Sequence, residues 1–217
     1  MSKKYILFDL DGTLTDPKAG ITSSVAFALN TFGIKVHDLD TLIPFIGPPL
    51  AESFENFYGF SHDKALKAVD QYRIYFSEKG IFENAVLQGV PEMLSHLSKN
   101  GREILLATSK PEVYAQKILE HFSLDNFFCH ICGSQLDGTR TAKSEVVAYA
   151  LNKAGVTDKA LAVMVGDRKH DIIGAKYNGI MSIGVLFGYG SEDELRKAGA
   201  DITVKTVDEL CSLLLQI

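Results

Sequence analysis

The chain has 217 residues, a net charge of −5 at neutral pH and a hydrophobic fraction of 46%. This length suits one large domain or a domain with a smaller companion, and the apolar content supports a sizeable core. Because both signs of charge are spread along the chain, we expect no nucleic-acid partner and no polybasic membrane patch. The first apolar run stops at Asp9, too early for a signal peptide, so we expect a cytoplasmic protein with no membrane partner.

The first predicted strand ends in two acidic residues. An apolar run leads into Asp9 and Asp11, and Gly12 and Thr13 then break the strand into a loop. Side chains two residues apart leave a strand on the same face, so the two carboxylates crowd at a carboxyl end, where open α/β sheets bind ligands. Like charges this close repel unless a cation or a shared proton relieves them. The pair therefore predicts a metal site, a proton-transfer role, or both.

The stretch after this loop has helical patterns and no strand signal. We predict an inserted all-helical cap domain at 15–87 and a core domain formed by 1–14 and 88–217, because so long a structureless loop is improbable. A lid in this position can exclude water and select substrates. In one cap helix, the substrate-binding candidate Arg73 is the charged member of an apolar face. The apolar members are Leu66, Val69, Tyr72 and Phe76.

Strand and helix patterns alternate through the rest of the chain, which predicts the α/β class: a doubly wound, Rossmann-like parallel sheet covered by helices on both faces. The predicted strands are Lys4–Leu10, Glu103–Thr108, Phe128–Cys132, Ala160–Val165, Met181–Phe187 and Ile202–Val204. The predicted helices of the core are Val90–Lys99, Glu112–His121, Ala142–Ala154, Asp171–Asn178, Glu192–Lys197 and Val207–Gln216.

The second core strand ends in two hydroxyl side chains, Thr108 and Ser109, and Pro111 suits the first turn of the next helix. Free N–H groups at such a helix start, together with either hydroxyl, can cradle a phosphate. The alternative is that Ser109 simply caps the helix.

Cys129 and Cys132 have the C-x-x-C spacing of metal and redox sites, but no second cysteine pair completes a zinc site. We therefore expect both to be buried structural thiols, and we interpret Cys211 in the same way.

Lys143 lies at the start of a predicted helix, where the helix dipole disfavours a cation. Unless its side chain extends into water, an anion should compensate it, either a phosphate or the aspartate cluster.

A later buried strand ends in Gly166 and is followed by Asp167 and Asp171. Together with Asp9 and Asp11, these residues can place up to four carboxylates at one edge of the sheet. Oxygen-only ligands are those that Mg²⁺ prefers, whereas a lone His170 in an oxygen-rich set does not indicate zinc.

These four motifs, in this order along essentially the whole chain, resemble the haloacid dehalogenase superfamily of phosphatases. The first motif, an apolar run followed by D-x-D-G-T, is the most specific. The position of the insert is similar to that of the subgroup with a helical cap after the first motif. The loops at 133–140 and 188–191 resemble the phosphoglycolate phosphatase-like and 5′-nucleotidase-like branch.

The resemblance implies a role for each motif residue. Asp9 would be the nucleophile that forms an aspartyl phosphate, and Asp11 the general acid and base. Thr108 and Lys143 would bind phosphate oxygens and assist catalysis, with Gly12, Thr13 and Ser109 also at the phosphate. Mg²⁺ would be held by Asp9, Asp167, Asp171 and Asp11, the last through its backbone carbonyl.

The substrate implied is a small phosphate monoester, a 5′-nucleotide or phosphoglycolate, and the protein is expected to be a monomer or homodimer.

A sugar phosphomutase of the same superfamily uses the same motifs and stays open as an alternative. A dehalogenase is disfavoured because that branch lacks the second aspartate of the first motif. The alternative from another class is a phospho-Asp signalling or binding module, which a large helical insert does not favour.

Overall fold

A computed structural model describes residues 3–217, which form two compact units. The larger unit comprises the chain up to Asp16 together with Val86–Ile217, and the smaller unit is Pro17–Ala85. Among the described residues, we find no helix with the length and apolar character that a membrane span requires.

The secondary structure alternates strands and helices through the larger unit. The strands are β1 (Tyr5–Phe8), β2 (Thr15–Asp16), β3 (Ala85–Val86), β4 (Glu103–Pro111), β5 (His130–Ser134), β6 (Ala162–Gly166), β7 (Met181–Val185) and β8 (Ile202–Val204). The α-helices are α1 (Lys18–Thr31), α2 (Leu50–Tyr58), α3 (His62–Tyr75), α4 (Val90–Lys99), α5 (Glu112–His121), α6 (Lys143–Lys153), α7 (Lys169–Tyr177), α8 (Glu192–Ala198) and α9 (Val207–Gln216).

The main sheet has six strands in the order β5-β4-β1-β6-β7-β8, and each neighbouring pair is parallel. The predicted doubly wound parallel sheet is therefore confirmed. β1 is buried on both faces, as its unbroken apolar run indicates, and it pairs with β4 on one side and β6 on the other. The chain visits β4 and β5 before it crosses to β6, so the strand order reverses at β1, where such sheets bind ligands.

Helices α6 and α7 cover one face of the sheet with apolar side chains. Leu7, Leu105 and Met164, from three adjacent strands, pack with Val147 and Ala175 of these helices, and all five are fully buried. Burial of a large aliphatic side chain contributes about 1.5–3 kcal/mol. This layer fixes the two helices that carry Lys143 and Asp171.

Two local expectations about the larger unit are wrong. β4 continues to Pro111, three residues beyond its predicted end, because a proline keeps the preceding residue extended. The helix begins at Glu112, as predicted, but Ser109 does not cap it. Cys129 is exposed because it precedes the edge strand β5, whereas Cys132 is buried and burial raises the pKa of its thiol to about 11.

The smaller unit contains α1–α3, a 3₁₀ helix at Leu39–Phe45 and a π-helical turn at Phe76–Gly80. Phe45, Phe54 and Phe60 are buried together in its aromatic core. The predicted apolar face of α3 is partly wrong, because Leu66 is 46% exposed. The buried face of α3 instead includes two small residues that a search for large apolar side chains misses. Its buried residues are Ala65, Ala68, Val69 and Tyr72.

Gly20 of α1 lies against the backbone at the end of the π-helical turn. A Cβ atom at Gly20 would lie 1.9 Å from the carbonyl oxygen of Gly80 and 2.9 Å from that of Glu83. The Gly20 N–H also donates to the Glu83 carbonyl at 2.9 Å. An exposed helical Gly→Ala change usually stabilises by about 0.5–1 kcal/mol, but here backbone atoms have to move.

We predict that Gly20→Ala lowers the free energy of unfolding by about 1–3 kcal/mol, the usual cost of overpacking. Denaturant unfolding of the full chain measures this change. Asn30→Ala, at an exposed position of the same helix, is the control and should stay within about 0.5 kcal/mol of the wild type. A stabilised Gly20→Ala variant would contradict the close packing of these two segments.

Candidate active site

The carboxyl end of β1 places Asp9 and Asp11 at the centre of the sheet. The Asp9 N–H donates to Val165 of β6 at 2.9 Å, so the backbone is still part of the sheet at this residue. The chain then turns back on itself, because Leu14 and Thr15 N–H groups both donate to the carbonyl of Leu10. Both acidic side chains are nearly buried, and Asp9 is only 6% exposed. Their charges therefore require partners within the protein.

Lys143 is the partner of Asp9. From the first turn of α6 its Nζ reaches Asp9 Oδ1 and Asp171 Oδ1, each at 2.8 Å, and the Ala107 carbonyl at 3.1 Å. These three acceptors match the three donors of an ammonium group. Burial alone would lower the pKa of Lys143, but Asp171 and Asp9 together raise it above its ordinary value. The expected anionic compensation is confirmed, and it comes from the aspartate cluster.

Asp167 and Asp171 follow β6 and are both fully buried. Asp171 Oδ2 accepts the Arg168 N–H at 3.0 Å, which turns its side chain back toward the sheet edge. Carboxylate oxygens of Asp9, Asp167 and Asp171 all lie within 4.8 Å of one another. The Asp11 side chain is not part of this group, so its predicted metal contact through the backbone carbonyl stays a prediction.

The three clustered carboxylates suit a hard divalent cation. Burial, reinforced by Asp171 and Asp9, raises the pKa of Asp167 to about 8, and burial raises the pKa of Asp171 to about 6. Each value shows that this environment disfavours another negative charge. The donor set holds only oxygen atoms, as Mg²⁺ prefers. The residues present therefore fit the predicted ion.

Lys110 is a site residue that our sequence analysis missed. Its Nζ lies 2.8 Å from Asp11 Oδ2, and its side chain is only 6% exposed. Burial raises the pKa of the Asp11 carboxyl, although the Lys110 ammonium opposes that shift. The signal was present, since Lys110 lies two residues after Thr108 and an extended chain directs such residues to the same face. The contact of Lys110 with Asp11 was not predicted because Pro111 indicated a helix start at this point.

The remaining motif residues line the same edge of the sheet. Thr108 is 2% exposed, and its Oγ1 accepts the Lys110 N–H at 3.3 Å. Gly12 has a φ of +79°, and a Cβ there would lie 2.3 Å from Asp167 Oδ2. Thr13 is buried and donates to Asp167 Oδ1 at 3.4 Å. Gly12 and Thr13 thus support Asp167, and their predicted substrate contacts, like that of Ser109, stay predictions.

The loop after β7 holds Asp167 from the other side. The Tyr189 N–H donates to Asp167 Oδ2 at 2.8 Å, and the Tyr189 hydroxyl donates to Asp16. Burial and Asp16 raise the pKa of Tyr189 above its ordinary value. A Cβ at Gly188 would lie 2.3 Å from the Gly12 carbonyl oxygen, so only glycine fits this approach. The spacing of glycines around Tyr189 was the available sequence signal for this contact.

Arg73 belongs to the smaller unit. It lies in α3, where its Nη1 is 3.8 Å from Asp70 Oδ1. Its predicted contact with substrate stays a prediction.

Comparisons with known proteins identify the family of this chain. The sequence profile of the haloacid dehalogenase-like hydrolases matches residues 6–185. A 5′-nucleotidase from Pseudomonas aeruginosa is 51% identical over 191 residues, which cover 88% of this chain and 86% of the relative. The tyrosine-protein kinase PtkA from Mycobacterium tuberculosis is 38% identical over 212 residues, which cover 96% of this chain and 72% of PtkA.

A solved structure has the same fold as this chain. The crystal structure of a predicted phosphatase from Clostridium acetobutylicum has a TM-score of 0.97 and 47% identity, with 100% of both chains covered. The match of the profile over most of the chain, together with these relatives, establishes the family. This chain belongs to the haloacid dehalogenase-like hydrolase family.

Proposed function

We propose that this phosphatase of the haloacid dehalogenase-like family hydrolyses a 5′-nucleotide or a comparably small phosphate monoester through an aspartyl-phosphate intermediate. One observation carries the proposal. Asp9 and Asp11, which follow β1, each lie 2.8 Å from a different buried lysine. This arrangement makes the two carboxylates chemically distinct, as a nucleophile and a separate acid require.

In the first step, a carboxylate oxygen of Asp9 attacks phosphorus. The bond between phosphorus and the leaving oxygen breaks, its electron pair stays on that oxygen, and Asp11 supplies the proton. The leaving group departs as an alcohol, and Asp9 becomes an aspartyl phosphate. Lys143 and Thr108 would stabilise negative charge on the transferring group, the usual source of catalysis in phosphoryl transfer.

In the second step, water replaces the alcohol. The Asp11 carboxylate accepts a proton from water as the water oxygen attacks phosphorus. The bond from phosphorus to Asp9 breaks, which restores the Asp9 carboxylate and releases inorganic phosphate. Lys143 remains between Asp9 and Asp171 and holds the nucleophile in place through both steps.

Asp9, Asp167 and Asp171 would hold Mg²⁺, with Asp11 contributing its backbone carbonyl. When bound, the ion would neutralise part of the charge on the carboxylates and on the phosphate. Charge supports such an ion: four buried aspartates face two buried lysines at this edge of the sheet, and a bound cation would favour the ionised form of Asp167, whose pKa burial raises to about 8.

The substrate class rests on the relatives. The name of the relative that is 51% identical supports a 5′-nucleotide. The loops resemble the branch that includes both phosphoglycolate phosphatases and 5′-nucleotidases, so phosphoglycolate is the next candidate. A screen over AMP, phosphoglycolate and glucose 6-phosphate that measures inorganic phosphate tests this choice. Release of phosphate from AMP at the highest kcat/KM is expected, and an isomerised sugar phosphate without phosphate release would instead show a mutase.

Asp9→Asn tests the nucleophile. We predict that it lowers kcat for p-nitrophenyl phosphate by about 10⁴-fold or more, because an amide forms no acyl phosphate. Asp193→Asn, at an exposed position of α8, is the control and should retain wild-type turnover. A circular dichroism spectrum equal to that of the wild type excludes unfolding, and substantial turnover by Asp9→Asn would assign the nucleophile to another group.

Asp167→Asn tests the cation site without using activity. The wild-type Tm should rise with MgCl₂, since a ligand at a hundred times its Kd stabilises by about 2.7 kcal/mol. Above pH 8, where Asp167 is ionised, Asp167→Asn removes one buried negative charge, so we predict a higher Tm than the wild type in EDTA and little further rise with Mg²⁺. Asp193→Asn should show the full wild-type rise. An unchanged response to Mg²⁺ in Asp167→Asn would remove this residue from the metal site.

A further inference from the structure

The two oxygens of the Asp11 carboxylate have different surroundings. Oδ2 lies 2.8 Å from Lys110 Nζ. Oδ1 is shielded from solvent and makes no hydrogen bond to any atom of residues 3–217. A buried oxygen without a partner is costly in a folded protein, so such an atom calls for a specific explanation. A leaving group that supplies or receives a hydrogen bond at Oδ1 provides one.

Lys110 reaches Asp11 from a constrained position. It lies near the end of β4, four residues beyond Leu106, the last residue of β4 that pairs with β1. Its N–H donates to Thr108 Oγ1 at 3.3 Å, and its side chain is nearly buried. An ammonium held in this way has little freedom to follow a substrate. Its contact with Oδ2 instead limits rotation of the Asp11 carboxyl group.

We propose that Lys110 is a positioning residue for Asp11: its ammonium holds Oδ2, so that Oδ1 meets the leaving group and carries the transferable proton. This inference rests on the proposed function, in which Asp11 is the general acid. During transfer to Asp9, the Oδ1–H bond breaks and its proton goes to the leaving oxygen. That oxygen keeps the electron pair of the broken bond to phosphorus, and Oδ2 stays on Lys110 throughout.

Lys143 and Lys110 contact different aspartates of the first motif, which supports this role of Lys110. Lys143 already contacts Asp9, Asp171 and a backbone carbonyl, so the nucleophile has its own cation. Lys110 contacts the other carboxylate of the pair. The contact with Asp11 uses one of the three donors of the Lys110 ammonium, so a direct contact with the substrate is the competing role, and the double variant described below tests it.

The test compares two esters that share the phosphoryl group and differ in the leaving group. Nitrophenolate leaves without protonation, whereas an alkoxide needs the proton of Asp11. We therefore measure kcat/KM for p-nitrophenyl phosphate and for whichever of AMP, phosphoglycolate and glucose 6-phosphate is hydrolysed fastest. The ratio of the two values is independent of the fraction of folded enzyme, which separates positioning from a loss of stability.

Lys110→Met should lower kcat/KM for the alkyl ester about 10²-fold more than for the aryl ester, within the range of general acid catalysis. Lys110→Arg should recover part of the ratio, and Lys197→Met, at an exposed ion pair of α8, should leave it unchanged. Equal losses for both esters in Lys110→Met would overturn the proposal. If that variant yields no active protein, Lys110→Gln is measured in the same way and judged by the same ratio.

Asp11→Asn distinguishes a failure of this inference from a failure of the proposed function. If Asp11→Asn lacks the selective loss on the alkyl ester, Asp11 is not the general acid, and the proposed mechanism falls with the inference. If Asp11→Asn shows the selective loss and Lys110→Met does not, only the inference fails. The double variant should lose no further selectivity beyond Asp11→Asn, and an additional loss would show that Lys110 contacts the substrate directly.

Discussion

Repulsion among buried carboxylates is the constraint on which this site depends. Asp9, Asp11, Asp167 and Asp171 are 9% exposed or less, and all lie at the same edge of one sheet. Unpaired buried charges destabilise a fold by several kcal/mol each, so the structure must supply cations at fixed positions. Lys143 lies at a helix N-terminus, where the dipole disfavours it, and is retained there by two carboxylates.

The backbone around Asp167 also stabilises a buried carboxylate at this edge of the sheet. Gly12 leaves no room for a side chain beside this carboxylate, and Gly188 allows the loop after β7 to approach from the opposite direction. The Tyr189 N–H can then donate to Asp167. Glycine loses more conformational freedom on folding than other residues. Gly12 and Gly188 therefore lower the stability of the fold, but they allow the close approach. This close approach surrounds Asp167 with backbone, and Asp167 has no lysine among its described contacts.

The sheet and the motif residues at its edge were predictable because their signals are local. Apolar runs define buried strands, and the residues after each run must lie at the carboxyl edge of a parallel sheet. Lys110 was not predicted, since Pro111 indicated a helix start where the strand continues. Leu66 was misplaced because alanines form the buried stripe of α3. The contact of Tyr189 with Asp167 joins residues far apart in sequence, and the glycines beside Tyr189 indicate a close approach without identifying its partner.

The different roles proposed for the two aspartates of the first motif have a source outside that motif. Asp9 and Asp11 are the same residue type, two positions apart, directly after β1. Asp9 faces Lys143 from α6 and the acids after β6, whereas Asp11 faces Lys110 from β4. The acids around Asp9 together suit a divalent cation, whereas Asp11, with one oxygen held by Lys110, presents the other oxygen in a fixed direction. The chemistry of the pair is thus set by its neighbours on either side of β1.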